Sequence, residues 1–388
     1  MSPVDDGGVR AFAEAGSVGT GATSAQSPPP IVIGAPPVAA LARGVAPVGV
    51  PSGQRSAHER RTYAALDLGT NNCRLLVARP NGDGFRVVDA FSRIVRLGEG
   101  LGGSRRLKET AIARTIDALH VCRTKMEARG VTRARLIATE ACRAAENGAD
   151  FIARVREETR LDLEVVDRET EAHLAVAGCA ALADPHAEGS MLFDIGGGSS
   201  ELAWVAGAAR DRRSLRQRVR AWTSLPVGVV TLAERHGGVD VDRRIFEAMV
   251  SEVLGHMKSF ADEVGSAKRC GRFHLLGTSG TVTTIAGVHL GLKRYDRRQV
   301  DGIWMNDADV SDVIEQLLNM SFEERAGNAC IGSERADLVL AGCAILEAIR
   351  RNFPASRLRI ADRGLREGIL MQMMDEDGVW TSGRRSHA

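Results

Sequence analysis

The chain has 388 residues, 44% hydrophobic and 26% charged, enough for two domains with a sizeable core. A formal net charge of +2 gives no basis for nucleic-acid binding, and no apolar run approaches the ~20 residues that span a membrane. Seven scattered cysteines (73, 122, 142, 179, 270, 330 and 343) without C-x-x-C spacing exclude a disulfide framework and a zinc site, which fits a reducing cytosol.

Residues 1–60 are rich in Ala, Gly, Pro and Ser and lack the charged start and apolar segment of a secretory signal. They read as a disordered tail. Strands are expected at 63–68, 73–79 and 85–97. A helix over 108–129 follows, with Ile112, Ile116, Leu119 and Met126 at helical spacing and Gly130 as its stop. A strand at 135–138, a helix at 150–160, a strand at 161–166 and a helix at 171–182 complete the first half. The turn-rich stretch 183–189 (ADPHAEG) is a boundary. Beyond it strands are expected at 191–195, 202–205 and 219–225, the last after a basic turn at 210–218. Helices at 228–235 and 243–261, a strand at 272–276 and a helix after Gly280 come next. A helical insertion at 309–320, a helix at 333–350, a strand at 358–361 and a closing helix after Gly364 end the chain. Each half places three strands before alternating helices and strands. That pattern predicts two α/β domains with mixed sheets, at 61–183 and 190–363, then a closing helix at 364–376 and a disordered end at 377–388.

One short pattern occurs twice. Residues 64–78 read AALDLGTNNCRLLVA, and residues 191–205 read MLFDIGGGSSELAWV. With Asp67 laid over Asp194, each is an apolar strand ending in Asp, one aliphatic residue and Gly. Small polar residues follow (Thr70, Asn71 and Asn72; Gly197, Gly198 and Ser199), then a second apolar strand. Such a turn lets backbone N–H groups approach an anion and sets a carboxylate beside it. Two of them predict facing half-sites for a phosphate chain with a divalent cation. The copies differ in charge, because Arg74 stands where the second copy has Glu201. A third glycine-rich place, LGTSGT at 276–281, runs from a strand into a helix N-terminus that suits an anion at Gly277, Thr278, Ser279 and Gly280. Gly98, Gly100 and Gly103 spell G-x-G-x-x-G, but outside the first βα turn that a dinucleotide fold requires. No Gly-Lys pair occurs, so a P-loop enzyme is excluded. Plainer readings stand beside these. Each glycine loop can be a tight turn, and Asp67 and Asp194 can bond their own turn's backbone. Glu171 at a helix start can serve only the dipole, and Arg143 can be a surface arginine.

Together AALDLGTNNCRLLVA, RLGEGL, ATEACRAAENGADF, VVDRETEAHLAVAG, FDIGGGSSEL, LGTSGTVTTIAG and IADRGLREGIL resemble, in order and separation, the exopolyphosphatase/guanosine pentaphosphate phosphohydrolase (Ppx/GppA) family. The resemblance covers residues 63 to about 373. It implies two actin-like (ribonuclease H-like) domains of the sugar kinase, heat-shock protein and actin superfamily around an interdomain cleft, with the final helix packing back toward the first domain. It implies a cytoplasmic, Mg²⁺-dependent hydrolase that removes terminal phosphate from inorganic polyphosphate or guanosine pentaphosphate, with a homodimer as one compatible assembly. Carried over residue by residue, Glu171 activates water and Arg143 binds phosphate. Asp67, Gly69, Thr70, Asn71 and Asn72 form the first phosphate loop, and Gly196, Gly197, Gly198, Ser199 and Ser200 form the second. Asp194 and Glu201 are the implied metal anchors. The chain departs from many relatives in Glu169-Thr170-Glu171, where adjacent glutamates are common, and in TNNC of the first loop. Longer relatives carry C-terminal helical domains that this sequence, ending at 388, does not show.

The expected reaction is in-line attack by water. Glu171 accepts the proton, while loop amides, Arg143 and Mg²⁺ stabilise the transferring phosphoryl group. Three rivals stand beside it. A guanosine pentaphosphate hydrolase would need a guanine pocket, for which 4% aromatics leave Tyr295 and Trp304 as candidates. A phosphotransferase of the same superfold would need an acceptor base and an adenosine site. A non-catalytic polyphosphate or alarmone sensor is opposed by the presence of Glu171.

Overall fold

Alternation along two central strands organises the molecule. The computed structural model describes residues 61–207, 218–265 and 272–380. Strand β1 (Tyr63–Leu68) is buried on both faces. Ala64, Leu66 and Leu68 pack with Leu75 and Val77 of β2 (Asn72–Asn81) against Ile112, Ile116 and Leu119 of the helix Glu109–Ala128. Tyr63 and Ala65 turn the other way, with Leu76 and Ala78, onto Ile369, Leu370 and Met373 of the helix Leu365–Glu376. This is the period-two geometry of a strand covered on both sides.

The first sheet has the order β3-β2-β1-β4-β5. Strands β1, β2 and β3 (Gly84–Ile94) are antiparallel; β4 (Arg133–Ala138) and β5 (Glu164–Val165) run parallel to β1. The second sheet repeats this plan. Strands β6 (Gly189–Ile195), β7 (Ser200–Ala206) and β8 (Val219–Leu225) are antiparallel. Strands β9 (Phe273–Thr278) and β11 (Arg357–Ala361) continue in parallel, and β10 (Trp304–Asn306) closes the edge antiparallel to β11. The full order is β10-β11-β9-β6-β7-β8. Both expected mixed sheets are present, inside one compact unit.

Two helices fill the space between the sheets. The helix Arg168–Cys179 sends Leu174 into the cluster on the first sheet, and Val176 and Cys179 onto Leu192, Ala203, Val205 and Leu276 of the second. It crosses the helix Leu365–Glu376 at glycine. A Cβ on Gly178 would lie 1.9 Å from the Gly364 oxygen, and one on Gly368 would lie 2.0 Å from the Leu174 oxygen. Gly178→Ala is expected to force the helices apart and destabilise the protein by about 1–3 kcal/mol, the usual cost of overpacking. Urea unfolding should show a lower midpoint with unchanged slope.

Several boundaries differ from the sequence reading. Of 161–166 only Glu164–Val165 joins the sheet; Leu161, Leu163 and Val166 are buried outside that two-residue pairing. The helix expected from 333 begins at Val339, and 333–338 is a turn after Gly332 at φ +76°. β10 was not expected. The end expected to be disordered from 377 is ordered through 380. Asp377 accepts a 2.7 Å hydrogen bond from the Tyr63 hydroxyl and pairs with Arg61 and Arg133, while Val379 and Trp380 pack on the closing helix. The tail at 1–60, the basic turn at 210–217 and the end from 381 lie outside the described residues. The six described cysteines are free and buried, and no described helix is long and apolar enough to cross a membrane.

Candidate active site

The direction of the key carboxylates follows from the strands. Asp67 continues the Tyr63/Ala65 face of β1, and Asp194 continues the Leu192 face of β6. Both faces look into the space between the sheets, so the two side chains project toward one another. The hairpin registers match. Asp67 pairs across with Arg74, and Asp194 pairs across with Glu201. The repeated sequence frame is therefore a repeated structural frame with one reversed charge.

The two turns are built alike. Gly69 N–H donates to the Asn72 oxygen and Gly196 N–H donates to the Ser199 oxygen, both at 2.9 Å. Each turn is braced from behind. Val95 and Arg96 N–H donate to the Asn71 oxygen and Gly98 N–H to the Thr70 oxygen. Val229 N–H donates to the Gly196 oxygen and Val230 N–H to the Gly197 oxygen. With the carbonyls tied back, the N–H groups of Thr70, Asn71, Gly197 and Gly198 donate to no described group. The turns also meet. A Cβ on Gly197 would lie 3.1 Å from the Asn71 nitrogen, and one on Gly198 would lie 2.6 Å from Thr70 Oγ1. The literal G-x-G-x-x-G is thus a brace for the first turn and a clasp between lobes. Arg96 donates to both oxygens of Asp337 at 2.9 and 3.1 Å, and Gly100 N–H donates to Glu234 at 2.7 Å.

Four acids converge here, and they are poorly compensated. Neither Asp67 nor Asp194 accepts a hydrogen bond from any described group: the Gly69 and Gly196 N–H groups close their own turns, and the N–H groups that follow them donate to nothing described. The reading of each Asp as its own turn's cap is removed. Burial raises Asp67 above its usual range, with Arg74 and Arg366 opposing. Burial, then the charge of Asp67, pushes Asp194 up to about 7. Glu201 is buried and accepts from the Ser199 and Ser224 hydroxyls at 2.7 and 2.9 Å; burial and Asp194 still push it to about 7. Burial and Glu201 push Glu171 to about 8. Arg143 Nη2 stands 2.7 Å from Glu171 Oε2, an ion pair outside hydrogen-bond alignment.

The expected phosphate arginine sits differently from its sequence reading. Arg143 does not line the cleft; its guanidinium is engaged with Glu140, Glu171 and the Val166 oxygen. Burial works against its charge, but Glu171 and Glu140 outweigh it and hold the guanidinium above its usual value. Arg74 and Arg335 do line the cleft, and their guanidinium groups bond to no described residue. They converge at Gly280, where a Cβ would stand 3.4 Å from Arg335 and 3.9 Å from Arg74. Gly280 opens a ten-residue helix whose first N–H groups are capped by Ser279. Arg366, also without a bonded partner, has its charge close enough to oppose the effect of burial on Asp67. Sequence reading assigned Arg335 and Arg366 no role. Their only signals were a charged turn before an apolar helix and the GLREGIL motif.

Of the other expected contacts, Gly69, Thr70, Asn71, Asn72, Gly196, Gly197, Gly198, Ser199, Ser279 and Gly280 line the cleft, together with Asp67, Asp194, Glu201 and Glu171. Ser200, Gly277 and Thr278 do not. Ser200 alternates away from Glu201 in β7 and donates to the Val227 oxygen. Gly277 pairs with Phe193, whose ring would meet its Cβ at 2.6 Å, so it is a packing glycine. The Thr278 hydroxyl donates to the Arg363 oxygen. Tyr295 and Trp304 also lie outside the lining; Tyr295 bonds Asp362, and Trp304 carries Arg357 and Arg359 on its ring.

The arrangement gathers carboxylates and, of opposite polarity, free N–H and guanidinium groups around one cleft. That polarity suits a phosphate chain with a divalent cation. Among the described residues no three His, Cys, Asp or Glu side chains stand close enough to ligate one ion directly. Mg²⁺, which keeps most of its water and takes one or two carboxylates, fits a spread of acids in which Asp67 and Asp194 are unpartnered.

A model described as the Ppx/GppA phosphatase family matches residues 76–377. The Aquifex aeolicus member of the Ppx/GppA protein family is 26% identical, with 82% of this chain and 98% of that one covered, at a TM-score of 0.66. An exopolyphosphatase from Cytophaga hutchinsonii has the same fold, with a TM-score of 0.73 at 22% identity over 81% of this chain and 98% of that one. A curated relative, the bifunctional 3-dehydroquinate synthase/phosphatase of Fusobacterium nucleatum, is 25% identical over 318 residues, or 80% of this chain. The chain spans about half (46%) of that relative's length.

Proposed function

The chain belongs to the Ppx/GppA phosphatase family, and from that premise we propose that it is a Mg²⁺-dependent exopolyphosphatase using Glu171 as general base. The carrying observation is the pair of facing turns whose N–H groups are free and whose aspartates, Asp67 and Asp194, have no hydrogen-bonded partner.

A phosphate chain entering the cleft meets the free amides of both turns, with Arg74 and Arg335 at Gly280 to hold further oxygens. Little covalent work is required of the protein in phosphoryl transfer, so positioning and electrostatics carry the rate. Asp194 and Glu201 are the residues to hold Mg²⁺, which when bound supplies positive charge to phosphoryl oxygens. Glu171 takes the proton of the attacking water on Oε1, the oxygen that Arg143 leaves free. A bond forms between the water oxygen and the terminal phosphorus, and the bridging P–O bond breaks. The bridging oxygen stays on the shortened chain. Burial and the charge of Glu201 raise Glu171 to about 8, a direction that makes its carboxylate a stronger base than a free one. Guanosine pentaphosphate presents the same phosphoanhydride, but neither aromatic candidate for a guanine stack lines the cleft.

Phosphate release with and without Mg²⁺ from long polyphosphate, short polyphosphate, guanosine pentaphosphate and ATP tests the proposal. Polyphosphate should be the preferred substrate and chelation should stop turnover. Release chiefly from guanosine pentaphosphate would move the assignment to the nucleotide. Binding with no single-turnover release from any substrate would make the protein a sensor.

A further inference from the structure

Glu140 lines the cleft but was assigned no role from sequence. It opens the short helix Glu140–Ala144 and is buried, with its stem under the second glycine turn; a Cβ on Gly198 would lie 3.2 Å from Glu140 Cγ. Its Oε2 accepts from Arg143 Nε at 3.2 Å and Nη2 at 2.9 Å. Arg168 Nη2 reaches both carboxylate oxygens, at 2.9 and 3.1 Å. Arg168 and Glu171 stand one turn apart in the helix Arg168–Cys179, and Arg143 closes on Glu171 at 2.7 Å. A ring results, running from Glu140 to Arg143, to Glu171, along one helical turn to Arg168, and back to Glu140.

Resting on the hydrolase reading above, we propose that Glu140 is a positioning residue that fixes Arg143 and the first turn of the Glu171 helix, and so holds the Glu171 carboxylate in line for water. Glu140 is not a second base, because both of its oxygens are occupied by guanidinium donors. The Arg143 arm dominates. Its side chain is 15% exposed, whereas Arg168 is nearly half exposed and its bridge is screened by solvent.

Glu140→Gln keeps the shape and removes the charge that orients Arg143. With polyphosphate and Mg²⁺, kcat should fall on the order of 10²-fold, the effect of a slight misplacement of a catalytic group, with KM little changed. In an Arg143→Ala background the same exchange should cost no more than the loss of about 2- to 5-fold from the remaining Arg168 arm, since it acts chiefly through Arg143. Arg168→Ala, at an exposed position, should fold normally and lose about 2- to 5-fold in kcat, in keeping with a weak screened pair. A readout independent of turnover is phenylglyoxal labelling of Arg143, located by peptide mass. Arg143 should be protected in the parent and reactive in Glu140→Gln. Parent-like kcat in Glu140→Gln, a loss of equal factor in the Arg143→Ala background, or equal labelling in both proteins would overturn the proposal. If the parent releases no phosphate, the hydrolase reading fails by itself, and labelling alone decides whether Glu140 positions Arg143.

Discussion

Exchange of Glu171 for Gln is expected to lower kcat by about 10²–10⁴-fold, the range that general-base catalysis supplies, with substrate binding and fold retained. Gln has the same shape but cannot accept the proton of the attacking water. The amides of the two turns and the guanidinium groups of Arg74 and Arg335, proposed to hold the chain, are untouched. The same exchange should stabilise the protein in the absence of divalent cations. Burial first, then the charge of Glu201, raises Glu171 from 4.5 to about 8 in the folded state. A carboxyl raised in this direction favours the fold below its unfolded pKa, and that contribution is lost as pH rises through the folded value. The parent should therefore lose stability between pH about 4.5 and about 8 relative to Glu171→Gln, and the two should converge in acid. Steady-state kinetics and thermal melts across this range check both halves. A kcat equal to the parent's would remove Glu171 from its role.

The site was legible in sequence to the extent that chemistry and period coincide. The two hairpins could be aligned because each strand ends in Asp, one aliphatic residue and Gly, and a strand's alternation carries that frame directly into space. The opposition of Arg74 and Glu201 needed only the register of a tight turn. Glycine and hydroxyl content alone misled at Ser200, Gly277 and Thr278. Ser200 faces the opposite side of β7 from Glu201, and Gly277 is small because Phe193 lies beside it. The arginines at Gly280 come from opposite lobes, 261 positions apart in sequence, and only tertiary packing brings them together. The 333–338 segment reads as a helix because its neighbours are apolar. The structure uses it as a turn that presents Arg335 to the cleft and Asp337 to Arg96.

Asp194→Asn and Asp67→Asn should separate the two copies of the hairpin, although the copies share one frame. Asp194 pairs across its hairpin with an acid, Glu201, and is pushed to about 7 by burial and by Asp67. Asp67 pairs across with Arg74 and also has the Arg366 charge opposing the effect of burial. A divalent cation therefore gains most at Asp194, where the charges of Asp67 and Glu171 add to burial against the opposing Arg74 and Arg366. With Mg²⁺ at about 100 times its Kd, the parent should be stabilised by about 2.7 kcal/mol, read as a rise in Tm. Asp194→Asn should abolish that rise and lower kcat by at least about 10²-fold, as loss of a metal's charge stabilisation of several kcal/mol requires. Asp67→Asn should keep most of the Mg²⁺-dependent rise in Tm. Its effect should fall on phosphate binding, which should tighten, because a negative charge beside Arg74 and the first turn's amides is removed. Calorimetric titration of Mg²⁺ into both variants makes the comparison without turnover. Equal loss of Mg²⁺ affinity in the two would mean that the cation bridges the hairpins, and that the reversed charge at Arg74 does not divide their labour.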